Sequence, residues 1–297
     1  MKLKRLLFGL GLALVLFGQT LHAQQKNADG KQLADIRAKA EKGDAIAQYN
    51  LGACYRHGQG VEKDDVEAVK WFRKAAEQNY AEAQQSLGVC YYDGQGVAKD
   101  YAEAVKRYRK AAEQNLAQAQ FNLGFCYGEG IGVAKDDMEA AKWYRKAADQ
   151  NLAEAQFNLA LCYDNGLGVG RDAPEAVKWY RKAAEQNLAY AQYNLGSHYS
   201  KGLGVVKDDG EAVKWYRKAA EQSVAEAQYN LGLEYGKGQG VDENLVEAFR
   251  WFVLSAAQGN TPAKKAVTGL EESTMPREQI AEGRRRANDW LQQHRKP

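Results

Sequence analysis

The chain repeats itself every 36 residues. The register Ala-x-Ala-Gln-x-Asn-Leu-Gly-x-Cys-Tyr-x-x-Gly opens at Ala45, Ala81, Ala117, Ala153, Ala189 and Ala225, with substitutions at a few positions. A unit this short cannot bury its own apolar face, so neighbouring copies must stack. Stacked helical units present long surfaces, which points to binding over catalysis.

Each unit reads as a helical hairpin. Gln48, Leu51, Gly52 and Tyr55 fall at i, i+3, i+4 and i+7, one face of a helix that Gly58 to Gly60 ends. Asp64 with Glu67 predicts a capping box at the start of a second helix, and the pair recurs at Asp100/Glu103, Asp136/Glu139, Asp172/Glu175, Asp208/Glu211 and Asn244/Glu247. Ala68, Trp71, Phe72, Ala75 and Ala76 form the apolar stripe of that helix, and the alanine pair permits close approach of its neighbour. Asn79, Asn115, Asn151 and Asn187, then Ser223 and Gly259, stand where a left-handed C-terminal cap is needed. The glycine pairs end helices and enter connectors, so they are turns and not phosphate loops.

The flanks suggest export. Lys2, Lys4 and Arg5 precede an apolar run from Leu6 to Phe17, and Leu21-His22-Ala23 offers a cleavage site, so residues 1–23 read as a signal peptide and Gln24 as the mature start. The apolar run is short for a bilayer span, and no cysteine follows it to take a lipid. No integral membrane segment is therefore expected after signal removal. Loss of three basic residues brings Lys+Arg from 41 to 38, level with 38 Asp+Glu. A neutral chain gives no basis for binding nucleic acid.

The blocks Leu51-Gly52, Tyr55, Gly58-x-Gly60-Val61, Asp64, Ala68, Trp71 and Ala75-Ala76, repeated from Ala45 to Asn260, resemble Sel-like repeats (SLR), a branch of the tetratricopeptide-like superfamily. The resemblance implies an all-α, right-handed α-solenoid of antiparallel helix pairs acting as an adaptor or protein-binding scaffold. Arg107 in place of Trp and Ala160 in place of Gly depart from the pattern without disturbing it. The expected organisation is a signal peptide (1–23), an N-terminal capping segment (24–44), six repeats (45–260) and C-terminal capping helices with a basic tail (261–297). In the last part, Ile280, Gly283, Ala287, Trp290 and Leu291 share one helix face, and Arg284-Arg285-Arg286 with Arg295 and Lys296 supply the charge.

Cys54, Cys90, Cys126 and Cys162 occupy one place in successive copies, about 10 Å apart by helix packing, which is too far for disulfides. One cysteine-rich subset of Sel-like proteins staples each repeat with two cysteines, and this chain has one per repeat. His198 and Glu234 replace the cysteine in the last two copies, which suggests a partly exposed site that tolerates polarity.

If Leu51, Gly52 and Tyr55 face inward, the second, fifth, sixth, ninth, twelfth and thirteenth residues of each copy face the concave groove. They include an asparagine ladder, Asn50, Asn122, Asn158, Asn194 and Asn230, beside an aromatic row, Tyr49, Phe121, Phe157, Tyr193 and Tyr229. Asparagine suits the backbone of an extended peptide, and aromatics supply apolar area. The same rows are equally consistent with packing between copies. Places that differ among copies are better candidates for specificity, above all the ninth, with Phe125 and Leu161. The thirteenth runs from His57, Asp93 and Glu129 through Asn165 to Lys201 and Lys237. The expected function is a periplasmic or secreted scaffold that binds a protein or peptide, without cofactor, metal or catalytic residues. No Ser-x-x-Lys, Gly-x-Ser-x-Gly or His-Glu-x-x-His motif occurs in the chain. The alternatives are an envelope adaptor acting through its convex or end surfaces and, by the resemblance, a weak penicillin-binding or β-lactamase-like hydrolase. The sequence does not set the oligomeric state.

Overall fold

Every copy of the 36-residue register folds into two helices joined by a glycine turn. The computed structural model describes residues 30–273 and 275–294, and all regular elements among them are α-helices. The expected signal peptide, its cleavage site, Arg295 and Lys296 lie outside the described residues. Helix α1 (Gly30–Glu41) precedes the copies. Their helices follow in pairs: α2 (Ala45–His57) and α3 (Asp65–Glu77), α4 (Ala81–Asp93) and α5 (Tyr101–Glu113), α6 (Ala117–Glu129) and α7 (Asp137–Asp149), α8 (Ala153–Asn165) and α9 (Ala173–Glu185), α10 (Ala189–Lys201) and α11 (Asp209–Glu221), α12 (Ala225–Lys237) and α13 (Leu245–Ala257). Helices α14 (Thr261–Glu271) and α15 (Arg277–Gln293) end the chain.

The chain divides into two compact units. The first runs to Cys162 and adds Gly166–Gly170; the second takes Tyr163–Asn165 and continues from Arg171. In the first unit, α1 to α7 pack consecutively. Ala40 on α1 joins Ala47 and Leu51 of α2 in a small cluster flanked by Leu33, Ile36 and Trp71. In the second unit, α9 to α14 pack consecutively, and α15 turns back chiefly onto α13. Its Gly283, Ala287 and Trp290 are buried there, with Ile280 and Leu291 half-buried beside them.

Local chemistry starts and stops these helices. The Asp64 carboxylate accepts from the backbone N–H groups of Val66 and Glu67, and Asp100, Asp136, Asp172, Asp208 and Asn244 cap the later second helices alike. Only half of the expected capping box forms. The backbone N–H of Asp64 donates to the carbonyl of Tyr55 at 2.9 Å, and Glu67 pairs instead with Lys70. At the other end, Asn79, Asn115, Asn151, Asn187 and Ser223 take φ values of 64–66°, the left-handed cap that their side chains tolerate.

A buried amide network joins each copy to the one before it. Gln120, 1 % exposed, donates from Nε2 to the carbonyl of Ala112 and to Oδ1 of Asn115, and accepts from Gln150 at 2.8 Å. Gln48, Gln84, Gln192 and Gln228 hold the same place and accept from Gln78, Gln114, Gln222 and Gln258, each at 2.8 Å. A buried amide left without these partners costs about 1–3 kcal/mol, so the network specifies register as well as adding stability.

The second glycine of each turn lets the backbones of neighbouring copies meet. A Cβ on Gly132 would lie 2.2 Å from the carbonyl oxygen of Tyr101, the first residue of α5, and Gly96, Gly168, Gly204 and Gly240 stand in the same relation to Asp65, Asp137, Ala173 and Asp209. Gly130, two residues earlier, has a similar φ of 70° but meets only the Lys135 side chain and backbone, no nearer than 3.2 Å. Gly130→Ala should therefore cost about 1–2 kcal/mol from its left-handed backbone. Gly132→Ala should cost clearly more, because the methyl group also meets a carbonyl that cannot move without displacing a helix start. Urea midpoints of the two variants test this; equal midpoints would show that the close approach is not tight.

Candidate functional site

The solvent side of the first helices carries the candidate residues, at unequal depth. Tyr49, Asn122, Phe125 and Leu161 are buried, whereas Asn50, Asn158, Tyr193, Asn194, Tyr229 and Asn230 are half-buried and present surface. The cause lies in the second helices. The fifth-place ring of a copy rests on the aromatic of the second helix in the same hairpin: Tyr49 on Phe72 with centroids 5.8 Å apart, Phe121 on Tyr144 at 5.9 Å, Tyr193 on Tyr216 at 6.0 Å and Tyr229 on Phe252 at 5.7 Å. One face of each ring packs. In the second unit the other side of Tyr193 and Tyr229 stays accessible.

The asparagine place is also partly engaged. Gln118 donates to Oδ1 of Asn122 at 3.2 Å, while Asn122 Nδ2 is buried without a partner. Burial pushes the Tyr216 phenol up to about 12, against the side chain of Asn230, which pulls it down. Asn230 thus sits beside two rings of the preceding copy, those of Tyr193 and Tyr216, within the second unit.

The cysteine place lies deeper than the sequence suggests. Cys54, Cys90, Cys126 and Cys162 are 1–6 % exposed, no disulfide joins them among the described residues, and His198 and Glu234 are equally buried. A polar replacement here does not signal exposure, because the twelfth residue of the preceding copy faces this place. Arg56 reaches Cys90 Sγ at 3.9 Å, and Asp164 lies 3.4 Å from Nε2 of His198, whose Nδ1 is 2.8 Å from the Leu203 carbonyl oxygen. Burial pushes the Cys90 thiol up to about 11 and the Cys126 thiol up to about 12. An attacking thiolate needs the opposite shift, so these thiols suit packing and not catalysis.

Charge at the edge of the face differs between the units. Asp93 and Glu129 stand at the thirteenth place in the first unit, and Lys201 and Lys237 in the second. The cap arginines, by contrast, are neutralised: Arg284 pairs with Glu271, Arg285 with Glu282 and Asp289, and Arg286 with Glu247 and Glu282.

The Sel1 repeat family model matches six consecutive stretches, 45–80, 81–116, 117–152, 153–188, 189–224 and 225–260. The chain belongs to the Sel1 repeat family. Among solved structures, it is similar to c5321, a protective antigen of uropathogenic Escherichia coli strains with an SLR fold, at 39 % identity and a TM-score of 0.78 over 86 % of this chain. The chain spans 56 % of that antigen's length. It is also similar to a Sel1 repeat protein from Oxalobacter formigenes, at 35 % identity and a TM-score of 0.64, covering 82 % of this chain and 94 % of the other. Among curated proteins no relative matches. Sel1 repeats are scaffolds typical of protein–protein interaction, and no described helix of this one is long and apolar enough to cross a membrane.

The two polar replacements at the cysteine place should respond to acid in opposite ways. His198 holds the Asp164 carboxyl below its ordinary value, whereas burial, aided by Asp209, raises that of Glu234. At pH 7 the Asp164→Asn variant should unfold at lower urea than the wild type, and Glu234→Gln at higher urea. The Glu234 difference should close below about pH 4, where that carboxyl is protonated in folded and unfolded chains alike, whereas the Asp164 difference should persist further into acid and shrink only as the pH falls below the ordinary aspartate value through its lowered folded one. A Glu234→Gln gap that persists at about pH 3 would assign its effect to packing.

Proposed function

We propose that this Sel1 repeat protein is an exported scaffold that holds an extended segment of a partner protein along the exposed face of its first helices. The observation that carries this reading is the pair of half-buried Tyr-Asn steps at Tyr193-Asn194 and Tyr229-Asn230, one copy apart in the second unit. Each step sets an apolar ring beside an amide with both donor and acceptor. Copies stack at about 8–10 Å and an extended chain rises about 3.3 Å per residue, so one copy matches about three peptide residues. In the first unit Asn50 and Asn158 present the same kind of surface, and Tyr49, Asn122, Phe125 and Leu161 form its floor. The reading needs no cofactor, nucleic acid or catalytic group.

Photo-crosslinking distinguishes this face from the convex one. A benzoylphenylalanine at Asn194 or Asn230 should capture partner, and one at the exposed Lys178 or Lys214 of the second helices should not. Tyr193→Ala with Tyr229→Ala should weaken capture at least tenfold. Capture from Lys178 and Lys214 alone would favour the convex adaptor.

The export reading rests on Lys2, Lys4 and Arg5 before the apolar run and on Leu21-His22-Ala23. Protein recovered from the periplasm should begin at Gln24. Chains that keep Met1 in the cytoplasm would overturn export while leaving the binding face intact.

A further inference from the structure

The second unit carries a hollow that the repeat pattern does not explain. A cavity of about 290 Å³ lies where α12, α13 and α14 meet, walled by Leu233, Leu245, Phe252 and Leu270, with Gly236 and Gly269 beside them. It exists because α14 is built as the first helix of a further copy but lacks the side chains of one. Thr261 stands one full period after Ala225, and Ala263 is buried as Ala47 is in the first copy. In that register Ala266 takes the asparagine place and Gly269 the ninth place, where the six copies carry Ala53, Val89, Phe125, Leu161, Ser197 and Leu233. A Cβ on Gly269 would meet nothing within 4 Å.

The rim is basic. Lys237 lines the opening and Lys201 occupies the equivalent place one copy earlier; both are exposed, and neither forms an ion pair among the described residues. Glu234, buried one turn before Lys237, feels its charge without forming an ion pair with it. The volume falls at the lower edge of small-molecule sites, which suits one or two apolar side chains better than a cofactor. Exposed lysines spaced about 10 Å apart match carboxylates about three residues apart on an extended chain.

We propose that this pocket is a side-chain anchor for an acidic peptide segment of a partner protein: an apolar residue of leucine size enters between α12 and α14, an adjacent carboxylate meets Lys237, and a second, three residues before it, meets Lys201. The proposal rests on the first-helix binding reading and adds the partner's chemistry to it. The pocket contributes specificity through shape and the lysines through charge, so occupancy depends on both.

Calorimetric titration of the full chain with the amidated peptide Glu-Ser-Ser-Glu-Leu tests this. Wild-type protein should bind it, and the peptides Gln-Ser-Ser-Gln-Leu and Glu-Ser-Ser-Glu-Ser should bind at least fivefold more weakly. Gly269→Leu fills the pocket and replaces a helical glycine by a better helix former, so its Tm should hold or rise while affinity falls at least tenfold. Lys201→Gln with Lys237→Gln should weaken binding and flatten its salt dependence. Absence of binding to the wild type, or equal affinity of Gly269→Leu, overturns the proposal. So does concentration-dependent self-association that Gly269→Leu abolishes, since a second copy would then be the occupant. If Gly269→Leu binds the peptide like the wild type but crosslinking from Asn194 and Asn230 still captures partner, the pocket fails and the broader reading stands. If that crosslinking captures nothing, the broader reading itself fails.

Discussion

The contact on which the stack depends is between backbones. The glycine loop of one copy lies against the first turn of the preceding second helix, so close that a methyl group on Gly96 would overlap the carbonyl oxygen of Asp65. At the other end of the hairpin, the amide network around Gln84 and Gln120 ties the first helix to the end of the preceding second helix. Two attachments at opposite ends leave a copy little freedom to tilt or slide against its neighbour. Van der Waals contact with backbone and buried amide bonds both fail steeply with displacement. The consequence for function is geometric: side chains on successive first helices within a unit recur at a fixed interval, which a mobile stack could not hold for an extended ligand.

Much of this was legible in the residues because it is local or strictly periodic. Asp64, Asn79 and Gly58 mark helix ends through chemistry confined to a few neighbours, and the Ala75-Ala76 pair marks a close helix contact on its own. The cysteine place was misread for a reason that a local reading cannot detect. Its environment is set by the twelfth residue of the preceding copy, 34 positions away for Arg56 and Cys90 and likewise for Asp164 and His198. Exposure inferred from tolerance of His198 and Glu234 ignored that a polar partner can travel with the substitution. The missing half of the capping box has a similar origin, since the Tyr55 carbonyl claims the N–H that Glu67 would have taken. Depth along the aromatic row was illegible too. The letters Tyr49 and Tyr229 are the same, yet one ring is sealed by Tyr80 as well as Phe72, at centroid distances of 5.5 and 5.8 Å, and the other retains a free side.

Divergence among the copies therefore has two separate meanings. At the cysteine place it reflects packing compensated from the copy before, and it speaks of the fold. At the ninth and thirteenth places of the second unit it changes what solvent meets, because Ser197, Leu233, Lys201 and Lys237 are not buried. Only the latter kind can select a ligand. Sequence alone does not separate them, since both look like departures from one consensus.

The end of the chain shows how closure and binding can coexist. Helix α15 folds back on α13 instead of completing a hairpin with α14. The core is closed by Ala287 and Trp290 against α13, while α14 is left with half-buried Ala266, Val267 and Leu270. The cap's three arginines are held by Glu247, Glu271 and Glu282, so little of their charge is available to a ligand. Lys201 and Lys237, on the first-helix side and beside the hollow that α14 leaves, are exposed and form no ion pair among the described residues. Charge and apolar surface are thus cancelled where the stack is sealed and kept together where a partner can reach them.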